Sequence, residues 1–170
     1  MVKSFRFETE AVVNATVDDC WAVLSDPKAH RAKWEPGCKD VRVVGRSGMF
    51  LMVEVERQLP SGETIKRKLK GALHPVGRID WTVEEGYEKG SKIWDVIQPV
   101  GDENKARVVF SGEVLPEKGL GVGAMFSRGA AAKAYAAQVH PDLQAFKAYV
   151  EHLPKSAKGE GWSYIGVDVE

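Results

Sequence analysis

WEPGCKDV, residues 34–41, is the stretch of sequence that decides the fold. Proline fixes its own φ angle and glycine accepts a positive one, so Pro36-Gly37 ends a helix and starts a strand at a defined angle. The residues that follow turn repeatedly until Pro116, and the remainder is typical of one long helix. A curled sheet covered by a single helix leaves space between the two layers, so this order of elements predicts a cavity.

Length and composition indicate one globular domain. The chain has 170 residues, 44% of them hydrophobic and 28% charged, and a chain of this size buries about 70% of its extended surface. Lysine plus arginine equals aspartate plus glutamate at 24 each, so net charge gives no reason to expect nucleic acid. No apolar run reaches the ~20 residues that span a bilayer, and the start lacks a secretory signal. We therefore expect a cytoplasmic protein without integral membrane association.

The two cysteines, Cys20 and Cys38, are too few and too far apart for a disulfide framework or a zinc site. No nucleotide-binding loop, serine elbow or acid pair is present in motif form. We therefore predict neither a metal nor a cofactor, and we assign no catalytic residue.

The first forty residues predict a strand and two short helices. Residues 5–15 carry apolar side chains at nearly every second position, as a strand with one covered face does. Thr16 followed by Asp19 has the spacing of a capping box, which predicts a helix start. Asp26 and Pro27 end that helix and begin a second one that runs towards Trp34.

Six further strands and one long helix are predicted from the remaining residues. Helical spacing after Gly119 continues to Leu153, and Pro141 predicts a kink or break near His140. The prediction is an α+β fold, a seven-stranded curved antiparallel sheet wrapped around a long C-terminal helix, with two short helices after strand 1. Residues 1–153 are predicted to form a single domain, and residues 154–170 a C-terminal tail.

This order of elements resembles the START-like, or SRPBCC, superfamily with its helix-grip fold. Residues 12–27, VVNATVDDCWAVLSDP, are similar to the opening of that superfamily, in which a strand ends in a small residue before a helix. Residues 34–41 are similar to the Pro-Gly-Cys segment of the CoxG-like members, which are associated with carbon monoxide dehydrogenase. The resemblance covers about residues 5–152. It implies a deep cavity for lipids, quinones, polyketides, steroids or other apolar molecules, and it implies no shared catalytic set.

Arg67 is the first candidate ligand contact, because it lies between Ile65 and Leu69 with the same strand orientation and therefore points inward. A buried guanidinium needs an acid or a ligand. Two alternatives remain open: twist at the sheet edge returns Arg67 to solvent, or Arg67 simply pairs with an acid such as Asp95.

Aromatic side chains supply the other candidates. Trp81 and Trp94 are large apolar plates with one donor each, and strand parity favours Trp81 over Trp94 for the cavity, with plain core as the alternative. The Tyr135 hydroxyl is suited to orienting a carbonyl, and a methionine lets a cavity wall adapt to different ligands. The predicted ligand-binding residues are Arg67, Trp81, Trp94, Asp95, Phe110, Met125 and Tyr135.

Two other features have mainly structural interpretations. The glycine-rich segment 119–123 lacks the Lys-Ser/Thr of a phosphate-binding P-loop, and we interpret it as a flexible mouth beside the cavity. Lys66, Lys68 and Lys70 form a basic ridge on the outer face, to which Arg57 and Lys92 can add. The ridge is either solvated or able to dock an acidic partner or lipid headgroups.

Three functions follow from the sequence. The favoured one is binding or transport of a hydrophobic small molecule between the sheet and the C-terminal helix. An alternative is a polyketide cyclase/dehydratase-like enzyme that uses Asp95, His140 or Tyr135 as an acid or base. The third is an accessory protein, with a protein partner in a dehydrogenase or chaperone system.

Overall fold

The computed structural model describes residues 4–101, 104–116 and 127–154. Within them the chain forms seven strands and three helices. In chain order these are β1 (Phe5–Val13), α1 (Val17–Leu24), α2 (Pro27–Trp34), β2 (Cys38–Ser47), β3 (Phe50–Gln58), β4 (Thr64–His74), β5 (Arg78–Gly86), β6 (Lys92–Val100), β7 (Lys105–Val114) and α3 (Arg128–His152).

All seven strands belong to one antiparallel sheet in the order β1-β7-β6-β5-β4-β3-β2. The first strand in the chain, β1, pairs with the last one, β7, and Phe5 lies opposite Val114 in this pairing. The inner face of the sheet packs with α3, whose Leu143, Phe146 and Val150 are fully buried. The predicted α+β helix-grip fold is confirmed. None of the helices in these residues is long and apolar enough to cross a bilayer.

Both short helices begin with the predicted caps. Thr16 Oγ1 accepts a hydrogen bond from the Asp19 amide at 3.1 Å, and Asp19 Oδ2 accepts one from the Thr16 amide at 3.2 Å. Asp26 Oδ1 accepts from the Ala29 amide at 3.3 Å, with Pro27 as the first residue of α2. Each cap contributes about 1 kcal/mol, so the polar residues at these starts set where the two helices lie.

The Pro36-Gly37 turn fastens the end of α2 to the sheet. Gly37 has a φ of 77°, and its carbonyl oxygen accepts a hydrogen bond from the Gln58 amide at 2.8 Å. A Cβ atom at this position would lie 2.2 Å from the Gln58 carbonyl oxygen, so only glycine fits. The turn therefore determines where Glu35, the residue that follows α2, can place its side chain.

The long helix differs from the sequence prediction at Pro141. We expected a kink or break near His140, and the break is absent, because α3 is one continuous helix of 25 residues from Arg128 to His152. Pro141 is exposed, so water can replace the single backbone hydrogen bond that a proline removes. The predicted tail, except Pro154, and the glycine-rich segment 119–123 lie outside the described residues.

Gly71 makes room for an indole ring on the inner face. It pairs with Trp81 across β4 and β5, and a Cβ atom at Gly71 would lie 2.6 Å from Trp81 Cζ3. We predict that Gly71→Ala lowers the free energy of unfolding by about 1–3 kcal/mol, because the ring must shift. Urea unfolding followed by tryptophan fluorescence measures this.

Gly45→Ala is the matched control, because Gly45 is also a strand glycine and its Cβ would meet only Met52 Cβ at an ordinary 3.5 Å. Its effect should stay within about 0.5 kcal/mol. Equal effects of the two substitutions would contradict the packing described for Trp81.

Candidate functional site

A cavity of about 100 Å³ lies between the inner face of the sheet and the helices. This volume exceeds that of a single water several times and approaches the ~150 Å³ of an engineered apolar cavity that takes benzene. It is smaller than the ~300 Å³ or more of a pocket for a drug-sized ligand. The apolar part of its lining comes from strands and helices alike and includes Phe7, Leu69, Trp81, Ile93, Phe110 and Val139.

Five of the seven predicted site residues line this cavity: Arg67, Trp81, Asp95, Phe110 and Tyr135. Trp94, which was predicted to line the cavity, does not. It neighbours Asp95 on β6, and successive strand residues point to opposite faces, so its ring lies on the outer face with the Arg6 guanidinium 5.9 Å from its centre. Met125 lies outside the described residues.

Four charged side chains from three elements form the polar pole of the cavity, which we define as Arg31, Glu35, Arg57 and Asp142. Arg31 Nε donates to Glu35 Oε1 at 2.7 Å. Arg57 donates twice to Asp142, from Nη1 at 2.8 Å and from Nη2 at 2.9 Å. Arg57 Nη1 also lies 3.8 Å from Glu35 Oε2. These pairs connect α2, β3 and α3 around the cavity.

Arg67 has an acidic partner that was not predicted from the sequence. Its Nη1 lies 3.7 Å from Glu88 Oε1, and the Tyr135 hydroxyl donates to the same oxygen at 2.9 Å. Glu88 is only 4% exposed and has a φ of 61°, a conformation that non-glycine residues rarely adopt. The turn between β5 and β6 therefore places the Glu88 carboxylate next to Arg67 and Tyr135, which both line the cavity. The acidic partner of Arg67 is Glu88 and not Asp95.

Asp95 is a carboxyl group of the cavity lining whose pKa is raised towards neutrality. Trp81 Nε1 donates to Asp95 Oδ2 at 3.0 Å, and the Arg31 guanidinium lies 5.9 Å from the centre of the Trp81 ring. Burial raises the pKa of Asp95 to about 6, against the opposing effects of Arg31 and the Trp81 hydrogen bond. A carboxyl group with a pKa near neutrality can act as an acid or a base.

The other reactive groups are less suited to chemistry. Burial and the negative charge of Glu88 raise the pKa of Tyr135, so its hydroxyl stays protonated. Burial raises the pKa of Cys38 to about 11, which makes it a poor nucleophile. His140 does not line the cavity, because its Nδ1 lies 2.6 Å from Thr9 Oγ1 and its Nε2 lies 3.0 Å from the Gln144 side chain. In the part of the chain that the structure describes, no cluster of His, Cys, Asp or Glu could hold a metal ion.

The polar pole and Glu88 were not predicted from the sequence, and the expectation that Arg57 adds to the outer basic ridge is wrong, because Arg57 lines the cavity beside Glu35 and Asp142. One signal was present: Arg57 follows Val53 and Val55 at period two, the same pattern that directed attention to Arg67. Arg31 and Glu35 have the i,i+4 spacing of a helical ion pair. Their meeting with Asp142, 85 positions beyond Arg57, depends on the tertiary fold.

Comparison with known proteins identifies the family. The family model described as polyketide cyclase / dehydrase and lipid transport matches residues 4–151. This match spans most of the chain, so the chain belongs to that family. No curated protein matches the chain in sequence.

Solved structures share the fold at low sequence identity. TTHA0849 from Thermus thermophilus is 16% identical, with a TM-score of 0.72 over 85% of this chain and 96% of that one. A START superfamily protein from Mycobacterium smegmatis is 15% identical, with a TM-score of 0.71 over 88% and 99%. The Zhui aromatase/cyclase from Streptomyces sp. R1128 is 16% identical, with a TM-score of 0.67 over 95% and 96%. At these identities the likeness shows the fold alone.

The raised pKa of Asp95 has a consequence for stability. Because the folded protein holds this proton more tightly than the usual pKa of 3.8 allows, the contribution of Asp95 to stability falls as pH rises from about 4 through about 6. We predict that Asp95→Asn removes this loss, so the variant gains roughly 1–3 kcal/mol relative to wild type across that range.

Urea unfolding at several pH values measures the difference, and ¹³C NMR of the carboxyl groups gives the pKa directly. Asp40→Asn, at an exposed carboxyl on β2, is the control and should not produce the same trend. A carboxyl resonance of Asp95 that titrates near 4 would contradict the prediction.

Proposed function

We propose that this protein binds a small hydrophobic molecule in the cavity between the sheet and α3. The observation that carries the proposal is the cavity itself, which has an apolar wall next to buried charged side chains. Aromatic rings contribute to the cavity wall, and the ring centres of Trp34 and Phe110 lie 6.2 Å apart. Each Å² of apolar ligand surface removed from water contributes about 25 cal/mol, before the costs of ordering the complex.

The finer candidates for the ligand are a polyketide, a quinone or a lipid. The family description names polyketide cyclases, dehydrases and lipid transport together, so it supports a polyketide or a lipid without selecting one, and the quinone rests on the sequence resemblance alone. The cavity volume of about 100 Å³ suits one ring or the end of a chain. We therefore propose that one ring or chain end of such a molecule enters the cavity that the described residues enclose.

An enzyme is the second candidate, and the observation that favours it is Asp95. Its carboxyl lines the cavity and has a raised pKa of about 6, and a group that serves as an acid or base in cyclisation or dehydration needs a pKa near neutrality. The two functions differ in what happens to the ligand. A carrier returns the bound molecule unchanged, whereas an enzyme returns a converted one and loses the conversion, but not the binding, in Asp95→Asn.

An accessory role beside a dehydrogenase is a narrower hypothesis. It rests on the likeness of residues 34–41 to the CoxG-like proteins that are associated with carbon monoxide dehydrogenase. In this structure that stretch supplies Trp34 and Glu35 to the cavity lining, so its residues serve the ligand site whether or not a protein partner exists. Copurification of a dehydrogenase subunit with the tagged protein would favour this role.

Native mass spectrometry of the purified protein, followed by solvent extraction, tests the proposed function. We expect a copurifying apolar species, or binding of added toluene to protein that carries none. The proposal is wrong if nothing copurifies and toluene produces no change in the NMR spectrum of the protein.

A cavity-filling substitution on α3 should weaken binding without unfolding the protein. Val139 lines the cavity, so we predict that Val139→Phe weakens toluene binding at least about tenfold, because the new ring occupies the ligand space. Titration followed by ¹H-¹³C NMR measures the affinity.

Ala137→Phe is the matched control, because Ala137 lies on the same helix and is exposed. It should bind toluene as wild type does. Equal loss of affinity in the two variants would contradict the proposed location.

A further inference from the structure

We propose that the natural ligand carries a neutral hydroxyl group on a ring, and that this hydroxyl donates a hydrogen bond to Glu35 Oε2. The inference rests on the proposed function and names the chemistry by which the polar pole recognises the ligand.

Glu35 Oε2 is a buried acceptor that lacks a hydrogen-bond partner among the described residues. The Glu35 side chain is only 3% exposed and lines the cavity. Its Oε1 accepts from Arg31, whereas Arg57 Nη1 lies 3.8 Å from Oε2, beyond hydrogen-bond distance. A buried acceptor without a partner costs about 1–3 kcal/mol of stability. A ligand that donates a hydrogen bond to this acceptor removes that cost, which favours its binding.

The acceptor is an ionised carboxylate. Burial opposes ionisation of Glu35, but the neighbouring Arg31 and Arg57 outweigh it and lower its pKa below the usual value. A carboxylate offers only acceptor oxygens, so its complement must be a hydrogen-bond donor. Hydrogen bonds to charged groups are about twice as strong as those between neutral groups.

The charges around the cavity favour a neutral donor over an ionic one. The guanidinium groups of Arg31, Arg57 and Arg67 each already lie within 4 Å of a carboxylate. A carboxylate or phosphate on the ligand would therefore meet paired arginines and would lie against Glu35. An ammonium group would meet the arginines instead.

A hydroxyl group fits better than an N–H group, because its oxygen can also accept. Arg57 Nε is a second buried atom without a hydrogen-bond partner among the described residues, and it is a donor. Aromatic side chains complete the surroundings: Trp34, Trp81 and Phe110 all line the cavity. Phenol combines these properties in a molecule of the right size, and it is neutral at pH 7 because phenolic groups have a pKa near 10.

Three probes that share one benzene ring test the inference on the full-length wild-type protein, and two of them, phenol and toluene, have the same number of heavy atoms. Toluene replaces the hydroxyl of phenol by a methyl group, and benzoate replaces it by an anion. A wholly apolar cavity would prefer toluene, since the phenol hydroxyl must leave water. We expect phenol to bind at least as tightly as toluene, and benzoate to bind at least about tenfold more weakly than phenol.

Glu35→Gln isolates the acceptor. The glutamine oxygen can still accept from Arg31, which leaves an NH₂ donor in the place of Oε2. We expect phenol to bind about tenfold more weakly and toluene to change less than about twofold. Glu63→Gln, at an exposed carboxylate in the turn before β4, should bind both probes as wild type does. If Glu35→Gln does not fold, the wild-type comparison of the three probes decides the question.

The outcomes separate the inference from the proposed function. If toluene binds and phenol binds more weakly in wild type, a water satisfies Glu35 Oε2 and only the hydroxyl inference is wrong. The same conclusion follows if Glu35→Gln weakens both probes equally. If none of the three probes binds, the proposed function fails together with the inference.

Discussion

The double hydrogen bond between Arg57 and Asp142 is the interaction on which the site depends, because it joins β3 to α3 beside the cavity. Buried charges must keep their partners, and removing one member of such a pair costs several kcal/mol. Helix and sheet therefore cannot close over this region as two apolar layers would. Glu35, placed by the turn at Gly37, brings α2 into the same group of charges. The charges that hold the layers in position are also part of the cavity wall.

This arrangement gives the cavity two chemically different sides. Leu69, Ile93, Phe110 and Val139 offer apolar contact on one side, and the polar pole offers charge on the other. A wholly apolar guest uses only one of them, whereas an amphiphilic guest uses both. The fold is shared with an aromatase/cyclase of only 16% sequence identity, so the fold alone does not specify the chemistry. In our proposal the acids and arginines of the cavity carry that information.

Strand periodicity predicted most of the architecture and part of the site. Parity placed Arg67 and Trp81 inward, and the same rule applied from Asp95 excludes Trp94. It would also have found Arg57, which continues the inward row of Val53 and Val55. Strand parity does not predict which acidic side chain contacts each inward-facing arginine. Glu88 reaches Arg67 from a turn with an unusual backbone conformation, and Asp142 reaches Arg57 from a distant helix. Pro141 shows that an exposed proline can lie within a continuous helix, because water can replace the backbone hydrogen bond that it removes.

The most direct test of the proposed cavity site is the position of a bound apolar molecule, measured by intermolecular NOEs between toluene and the methyl groups of the protein. We expect NOEs to Leu69, Ile93 and Val139, which surround the cavity. NOEs confined to exposed methyl groups, such as those of Val44 and Leu115, would contradict the site, because the molecule would then lie on the surface and not between the sheet and α3.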